Sequence, residues 1–356
     1  MGRTGWRRSA LATVALAAMV ALGACTSVEP PVEPTETPSP TRTASASPSP
    51  SPASVDTSSI RSIIDSAPET PELTVAGPAA AIAGEDAQQV SYVSGGLTVT
   101  GVVRMPAGDG PFPAVAVVHG AVDPDTYESG GDLLPEQRAL LAAGYAVFAL
   151  DLRGYAESDP AADDGALAFD PGFGWSTVLD WGMALDVVNG LALLRSGAVD
   201  GVDTTRIGLL GHSMGGLLAL DAAVIAPGAS DLVVALSPPA SDFGELIADI
   251  DVEEVDGLGE WLGEVGTPAE NPDYWADISP RTFIDRATEP LLLIHGGADS
   301  TTLPQWSRDT SEAWRAAGLE SEAIIIGGAD HLLRPHRGEA DRIIVEAFDT
   351  ILEDGT

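Results

Sequence analysis

The chain has 356 residues, of which 17 are basic and 53 acidic, so its formal charge at pH 7 is -36. This charge repels phosphate backbones and argues against a nucleic-acid partner. Hydrophobic residues make up 44% of the chain, which excludes a wholly disordered protein, and the single cysteine excludes an internal disulfide and a cysteine-based zinc site.

The first 24 residues have the features of an export signal. Three arginines precede an apolar run, Leu11–Leu22, that is short for a membrane span, and the run ends in Leu-Gly-Ala-Cys25. This ending resembles the bacterial lipobox, which implies that Cys25 carries diacylglycerol and becomes the mature N-terminus. The expected location is the extracytoplasmic face of the cell membrane. An ordinary cleaved signal and an uncleaved anchor remain alternatives, and Arg7-Arg8 leaves the export route, Sec or twin-arginine, open.

Residues 25–85 are expected to form a solvated tether. The stretch from Thr26 to about Ala53 consists largely of Pro, Ser, Thr and Glu and cannot bury a core. The stretch from Ile60 to about Ala83 is ambiguous, with a short helix followed by further linker as one interpretation. The folded domain is predicted to occupy residues 86–356.

Strands and helices alternate through the predicted domain. It opens with a hairpin, 88–93 and 97–105, joined by a Gly-containing turn. The later apolar runs are 113–119, 146–152, 207–210, 232–236, 291–294 and 323–326, and the helical stretches are 133–143, 183–194, 214–226, 306–317 and 339–352. This alternation predicts an α/β fold with a doubly wound, mostly parallel sheet, whose site lies at the carboxyl ends of the strands.

A GxSxG pentapeptide, 211–215, follows one of these strands and precedes a helix. Such a strand–turn–helix setting is typical of a nucleophile elbow, in which the central serine, here Ser213, presents its hydroxyl on a sharp turn. A serine hydroxyl needs a base to take its proton, and the base needs an orienting acid.

The remaining members of such a triad are expected after Ser213, in the order acid and then histidine. Asp299 follows the strand 291–294, and His331 follows the strand 323–326. Of the other downstream histidines, His295 precedes the acid and His336 lies beyond the tight loop. Asp299 is therefore predicted to be the acid and His331 the base.

From about residue 86 to 353 the chain resembles an α/β-hydrolase. The resemblance rests on the segments 110–114, 186–191, 206–216 and 295–299. Within this fold the chain looks most like prolyl oligopeptidase catalytic domains and the neighbouring dienelactone-hydrolase-like esterases. The resemblance implies two backbone donors for an oxyanion, the N–H groups of Met214 and Ala121.

Other polar residues at the strand ends are expected to fix loops rather than to react: His119, His212, His295, Asp151 and Arg153. The glycine-rich turns lack the spacing of nucleotide-binding loops, and neither a cofactor nor a metal is expected.

The segment from about residue 240 to 279 is predicted to be a small helical cap over Ser213. Two amphipathic stretches, 243–250 and 258–265, indicate short helices. Residues 241–280 hold 12 acidic and no basic side chains. Their plain interpretation is a solvated face that adds to solubility, and the sharper hypothesis is a rim that disfavours anionic substrates.

The sequence as a whole predicts an exported, lipid-anchored serine hydrolase that cleaves a small ester or a peptide bond through an acyl-enzyme. A prolyl-oligopeptidase-type catalytic domain is the first expectation and a carboxylesterase is the close alternative. A lipid-anchored binding protein on a catalytically silent hydrolase fold is the alternative from a different class. The natural substrate and the oligomeric state stay open.

Overall fold

The computed structural model describes residues 55–66, 70–160, 181–249 and 258–353. The strands in these ranges are β1 (Thr74–Pro78), β2 (Asp86–Ser94), β3 (Leu97–Met105), β4 (Phe112–Val118), β5 (Ala146–Asp151), β6 (Val202–His212), β7 (Leu232–Leu236), β8 (Leu291–Gly296) and β9 (Ser321–Ile326). The α-helices are α1 (Ile60–Ser66), α2 (Leu134–Ala142), α3 (Trp181–Ser196), α4 (Met214–Ile225), α5 (Phe243–Ala248), α6 (Leu258–Val265), α7 (Pro272–Asp277), α8 (Pro304–Ala316) and α9 (Arg337–Phe348). A 3₁₀ helix spans Pro280–Arg286, and a π-helical turn spans Asp349–Glu353.

The strands form one sheet in the order β1-β2-β3-β5-β4-β6-β7-β8-β9. The first four strands in this order pair antiparallel, and all pairs from β5 to β9 are parallel. The predicted doubly wound, mostly parallel sheet is confirmed. Because β4 to β9 run in one direction, their carboxyl ends meet at one edge, where a site is expected.

Helices cover both faces of this sheet, as β4 illustrates. Ala114, Ala116 and Val118 belong to one buried cluster together with residues of α1, α3, α4 and α8. Val115 and Val117 belong to the other cluster, with residues of α2 and α9. Since side chains alternate between the faces of a strand, an uninterrupted apolar run such as β4 must be buried on both sides.

The predicted strands and helices agree with the structure to within a few residues at most ends. The hairpin of β2 and β3 is present, with Ser94 opposite Leu97. The largest difference at a strand is β6, which begins at Val202 rather than at Ile207. Its first residues carry polar side chains, so the apolar pattern missed them, yet Val202 pairs with Phe112 of β4.

The folded domain begins before the predicted boundary at residue 86, so the predicted tether to residue 85 is too long. Helix α1 buries Ile60 and Ile63 completely and packs against α4, and β1 pairs with β2. Arg61 lies 4.5 Å from the ring centroid of Phe283. The helix is only seven residues long, and two isoleucines make too short a pattern to predict its burial. The predicted signal, Cys25 and the first part of the tether lie outside the described residues.

The predicted cap region contains three described helices, α5, α6 and α7, instead of two. The third begins at Pro272, which suits the first turn of a helix, but its six residues are too few for a periodic pattern. The aromatic ring of Phe243 lies 6.0 Å from that of Trp181, and Asp277 pairs with Arg61 at 3.3 Å. These contacts join the segment to α3 and α1, and its position over Ser213 stays a prediction. No helix within the described ranges is long and apolar enough to cross a membrane.

Candidate active site

Ser213 occupies the turn between β6 and α4 in a strained conformation. Its φ is 54° and its ψ is −120°, a region that non-glycine residues rarely adopt. The turn is fixed by the Ser213 N–H, which donates to the carbonyl of Leu236 in β7 at 2.8 Å. This conformation is the elbow predicted from the GxSxG pentapeptide.

Two glycines of the pentapeptide permit this turn because the backbone passes too close for a side chain. A Cβ atom on Gly211 would lie 2.0 Å from the carbonyl oxygen of Gly215. A Cβ atom on Gly215 would lie 2.3 Å from the carbonyl oxygen of Val118 at the end of β4. Both obstacles are backbone atoms, so they cannot move aside as a flexible side chain could. The glycines therefore hold the start of α4 against the central strands.

The structure brings Ser213 and His331 into contact although 118 positions separate them. His331 lies in the loop after β9, and its Nε2 is 2.9 Å from the Oγ of Ser213. Its Nδ1 is 2.8 Å from Oδ2 of Asp299. The imidazole is thus hydrogen-bonded to the hydroxyl on one side and to the carboxylate on the other. This geometry suits transfer of the serine proton to His331.

Asp299 lies in the turn after β8 and is surrounded by donors. The backbone N–H groups of Thr301 and Thr302 donate to Oδ1 at 2.8 and 3.1 Å, and His331 and His295 approach Oδ2 at 2.8 and 3.2 Å. Burial acts to raise the pKa of Asp299, but the hydrogen bonds from the two histidines and the two threonines lower it well below its usual range. The carboxylate therefore stays ionised and can orient His331.

His295 is a second histidine on the same carboxylate, and its place there was not predicted. Its side chain is fully buried, with Nδ1 at 2.7 Å from Oγ of Ser307 and Nε2 at 3.2 Å from both the carbonyl of Thr302 and Oδ2 of Asp299. Since Nε2 faces two pure acceptors, it carries the proton, and Nδ1 accepts from the Ser307 hydroxyl. His295 therefore supports the acid. In the sequence, this contact is indicated only by the position of His295 at the end of β8, four residues before Asp299.

The two predicted oxyanion donors belong to chain segments that meet at Ser213. Met214 is the first residue of α4, and Ala121 follows Gly120, on which a Cβ atom would lie 3.5 Å from Cβ of Ser213. Among the described residues, neither the Met214 N–H nor the Ala121 N–H has a hydrogen-bond acceptor. Unpaired backbone N–H groups of this kind can bind negative charge on an oxygen atom.

The other strand-end residues are engaged in structural contacts. His119 donates from Nδ1 to the carbonyl of Gly120 and accepts at Nε2 from the N–H of Leu152, and burial lowers its pKa. Asp151 accepts hydrogen bonds from four donors around it, and Arg153 pairs with Asp186 at 2.7 Å with both side chains buried. His212 contacts the backbone carbonyl of His331 at 3.0 Å, and burial lowers the pKa of His212.

Within the described ranges, no cluster of three or more His, Cys, Asp or Glu side chains is arranged to hold a metal.

Two family models match parts of the chain. The model of the prolyl oligopeptidase family matches residues 182–348, and the model of serine aminopeptidases, S33, matches residues 111–250. Together the two matches cover β4 to α9, including the residues described above. Among curated proteins, the chain is similar to esterase EstD of Thermotoga maritima, with 26% identity over 283 residues. This match covers 70% of the chain and 62% of the length of EstD.

Solved structures share the fold at low sequence identity. An acetyl xylan esterase from Paenibacillus sp. R4 aligns with a TM-score of 0.61 and 19% identity, over 81% of this chain and 92% of the esterase. An acylaminoacyl peptidase of Pyrococcus horikoshii aligns with a TM-score of 0.58 and 21% identity, over 82% of this chain and 43% of the peptidase. The shared part therefore corresponds to almost the whole of one neighbour and to less than half of the other.

Proposed function

We propose that this chain, a serine hydrolase with an α/β-hydrolase fold and a prolyl-oligopeptidase-like domain, cleaves carboxylic esters with Ser213 as nucleophile, His331 as base and Asp299 as acid. The observation that carries the proposal is the continuous hydrogen-bonded chain from Ser213 Oγ to His331 at 2.9 Å and from His331 to Asp299 at 2.8 Å. The strained φ of Ser213 supports it, because backbone strain of this kind concentrates at functional sites.

The reaction follows from the groups present. Ser213 Oγ attacks the ester carbonyl while its proton passes to Nε2 of His331, and the resulting oxyanion is bound by the N–H groups of Met214 and Ala121. The C–O bond to the alcohol then breaks, and His331 returns the proton to the departing oxygen. A water molecule attacks the acyl-enzyme by the same route and releases the carboxylic acid and free Ser213.

An amide or peptide bond is the second candidate substrate. It is favoured by the match of the prolyl oligopeptidase family to residues 182–348, whereas the similarity to EstD favours an ester. Amide cleavage requires protonation of the leaving amine, so it makes a greater demand on the proton transfer by His331. Turnover of p-nitrophenyl esters beside aminoacyl-p-nitroanilides measures the two activities directly. Faster ester cleavage across the panel supports the first candidate, and faster anilide cleavage supports the second.

Replacement of the nucleophile tests the mechanism. Ser213→Ala removes the attacking oxygen, and we expect turnover of a p-nitrophenyl ester to fall by about 10⁴-fold or more with the fold intact. Ser66→Ala, at an exposed position on α1, is the matched control and should keep full activity. Wild-type turnover in Ser213→Ala would refute the mechanism.

The lipobox at residues 22–25 supports a further part of the proposal, an exported protein held at the extracytoplasmic face of the membrane through lipid on Cys25. The Pro- and Ser-rich residues that follow would hold the domain away from the bilayer. Cys25→Ser should abolish incorporation of radiolabelled fatty acid and release the protein from the membrane fraction or leave it unprocessed. Unchanged membrane association and mass would rule out lipid anchoring at this residue.

A further inference from the structure

The hydroxyl of Thr302 lies at the centre of the groups around Asp299. Its Oγ1 is 2.9 Å from Oδ2 of Asp299, 3.0 Å from the carbonyl oxygen of Ser237, and 3.2 Å from both Nδ1 of His331 and Nε2 of His295. The residue is 5% exposed. One hydroxyl therefore contacts the base, the acid and the end of a neighbouring strand.

The hydroxyl has one proton, and the surrounding groups determine which acceptor receives it. A carboxylate offers about four lone-pair sites, and four N–H donors already approach Asp299, two from the backbone of Thr301 and Thr302 and two from His331 and His295. The carbonyl of the fully buried Ser237 has no other donor among the described residues. Because a buried carbonyl without a partner is costly, the Thr302 hydroxyl donates to Ser237 and shares its proton with Oδ2 of Asp299, which lies at a similar distance.

With its proton directed to Ser237 and Asp299, the hydroxyl turns its lone pairs toward the N–H groups of the two histidines. It is then a second acceptor for Nδ1–H of His331, beside the carboxylate of Asp299. The hydrogen bond from His331 to this hydroxyl becomes stronger when His331 is positively charged. His331 acquires that charge when it takes the proton of Ser213.

The end of β7 also contacts the nucleophile, so Thr302 connects two parts of the site. The N–H of Ser213 donates to the carbonyl of Leu236 at 2.8 Å, and Ser237, the next residue, accepts from Thr302. Ser237 itself has a positive φ of 45°. The turn that carries Ser213 and the turn that carries Asp299 are therefore hydrogen-bonded to the carbonyls of two consecutive residues, Leu236 and Ser237.

We propose that Thr302 is a positioning residue whose hydroxyl ties the Asp299 turn to Ser237 and stabilises the protonated form of His331, an inference that rests on the proposed function. Its hydroxyl contacts Nδ1 of His331, whereas the other ring nitrogen, Nε2, faces Ser213. It acts through the orientation of His331 and through the charge that this side chain bears in the transition state.

The test compares Thr302→Val, which keeps the shape and removes the hydroxyl, with Thr302→Ser, which keeps the hydroxyl. For Thr302→Val we expect kcat on a p-nitrophenyl ester to fall by about three- to tenfold with KM unchanged, since one hydrogen bond to a charged group is lost. We also expect the acidic limb of the pH profile of kcat/KM to move to lower pH, because the protonated imidazole is less stable. Thr302→Ser should restore both values to near wild type.

Three results would overturn the proposal: wild-type kcat and pH profile in Thr302→Val, an acidic limb that moves to higher pH, or a Thr302→Ser variant as impaired as Thr302→Val. If Thr302→Val does not fold, Thr302→Ala offers the same comparison. The Ser213→Ala variant distinguishes this failure from that of the proposed function. An inactive Ser213→Ala with a wild-type Thr302→Val would refute only the role of Thr302.

Discussion

Asp299 is buried and Asp341 is partly buried, and their environments shift their pKa values in opposite directions. Asp299 meets N–H donors on both oxygens, and its pKa is lowered despite its burial. Asp341, on α9, lies beside the carboxylate of Glu136, and its Oδ1 has no hydrogen-bond partner among the residues that the structure describes. Burial and the negative charge of Glu136 raise its pKa to about 6, against the opposing effect of Arg337.

Burial acts to raise the pKa of both carboxylates. The opposite outcomes therefore come from the groups that surround each one. At Asp299 the donors outweigh the cost of desolvation, so the group is charged at any pH at which a histidine base could work. At Asp341 the available cation, Arg337, is already held by both oxygens of Glu136 at 2.6 Å. Asp299 thus keeps its charge at low pH, whereas Asp341, between α2 and α9, is neutral below about pH 6.

The largest effect is expected from removing the charge of Asp299. Asp299→Asn keeps the shape but replaces one acceptor by an NH₂ group, so His331 is no longer held with its proton on Nδ1. We expect kcat on a p-nitrophenyl ester to fall by about 10⁴-fold, as for the loss of the acid in a comparable triad. Asp341→Asn is the matched control and should keep wild-type kcat. A loss of less than tenfold in Asp299→Asn would contradict the assignment of the acid.

A smaller effect, on stability, is expected at Asp341. The folded chain keeps this proton up to about pH 6, whereas the unfolded chain releases it near 3.8, so the free energy of unfolding falls as the pH rises between these values. Asp341→Asn has no proton to release, so its stability relative to wild type should increase over the same window. We expect about 1 kcal/mol at pH 7, since solvent reaches the site, or about 2–4 °C in Tm.

Urea unfolding at pH 4 and pH 7 measures this difference. Glu346→Gln, an exposed carboxylate on the same helix, is the control for a general change in net charge. A difference between Asp341→Asn and wild type that is the same at both pH values would contradict the raised pKa.

The smallest effect is expected from the acidic segment 241–280. Two of its carboxylates are paired, Glu245 with Arg281 at 3.2 Å and Asp277 with Arg61 at 3.3 Å, so part of its charge is compensated. If the rest faces the substrate, cationic esters should be preferred over anionic ones by about two- to threefold in kcat/KM at low salt, and the preference should disappear at high salt. Neutral, cationic and anionic esters of equal length test this. Equal preference at both salt levels would leave the segment a role in solubility only.

Those parts of the fold that depend on local pattern were predicted from the sequence. The apolar runs located the parallel strands, and the residues after them located the turns that bring Ser213, Asp299 and His331 together. Because the carboxyl ends of parallel strands meet at one edge, residues that directly follow different strands are expected to lie close together. The role of the glycines around Ser213 was also predicted, since a strained turn needs residues without a side chain.

The contacts that depend on tertiary distance were not predicted. Thr302 and Ser237 are 65 positions apart, and neither belongs to a motif that would indicate their hydrogen bond. His295 was expected to be structural, but its hydrogen bond to Asp299 depends on how the turn after β8 closes. Helix α1 gave too short a pattern to indicate that it packs on α4. Sequence patterns therefore located the proposed reacting groups but not the groups that hold them.

The central claim, that Ser213 is an activated nucleophile, is tested most directly by reaction with a fluorophosphonate probe followed by peptide mass spectrometry. The probe forms a covalent phosphonyl ester only with a serine whose proton is taken by a base. The account predicts one adduct per chain, on Ser213, that is absent in Ser213→Ala and strongly slowed in Asp299→Asn. A folded wild-type protein that takes up no probe, or that is labelled at another residue, would contradict it and would favour a binding protein on a silent hydrolase fold.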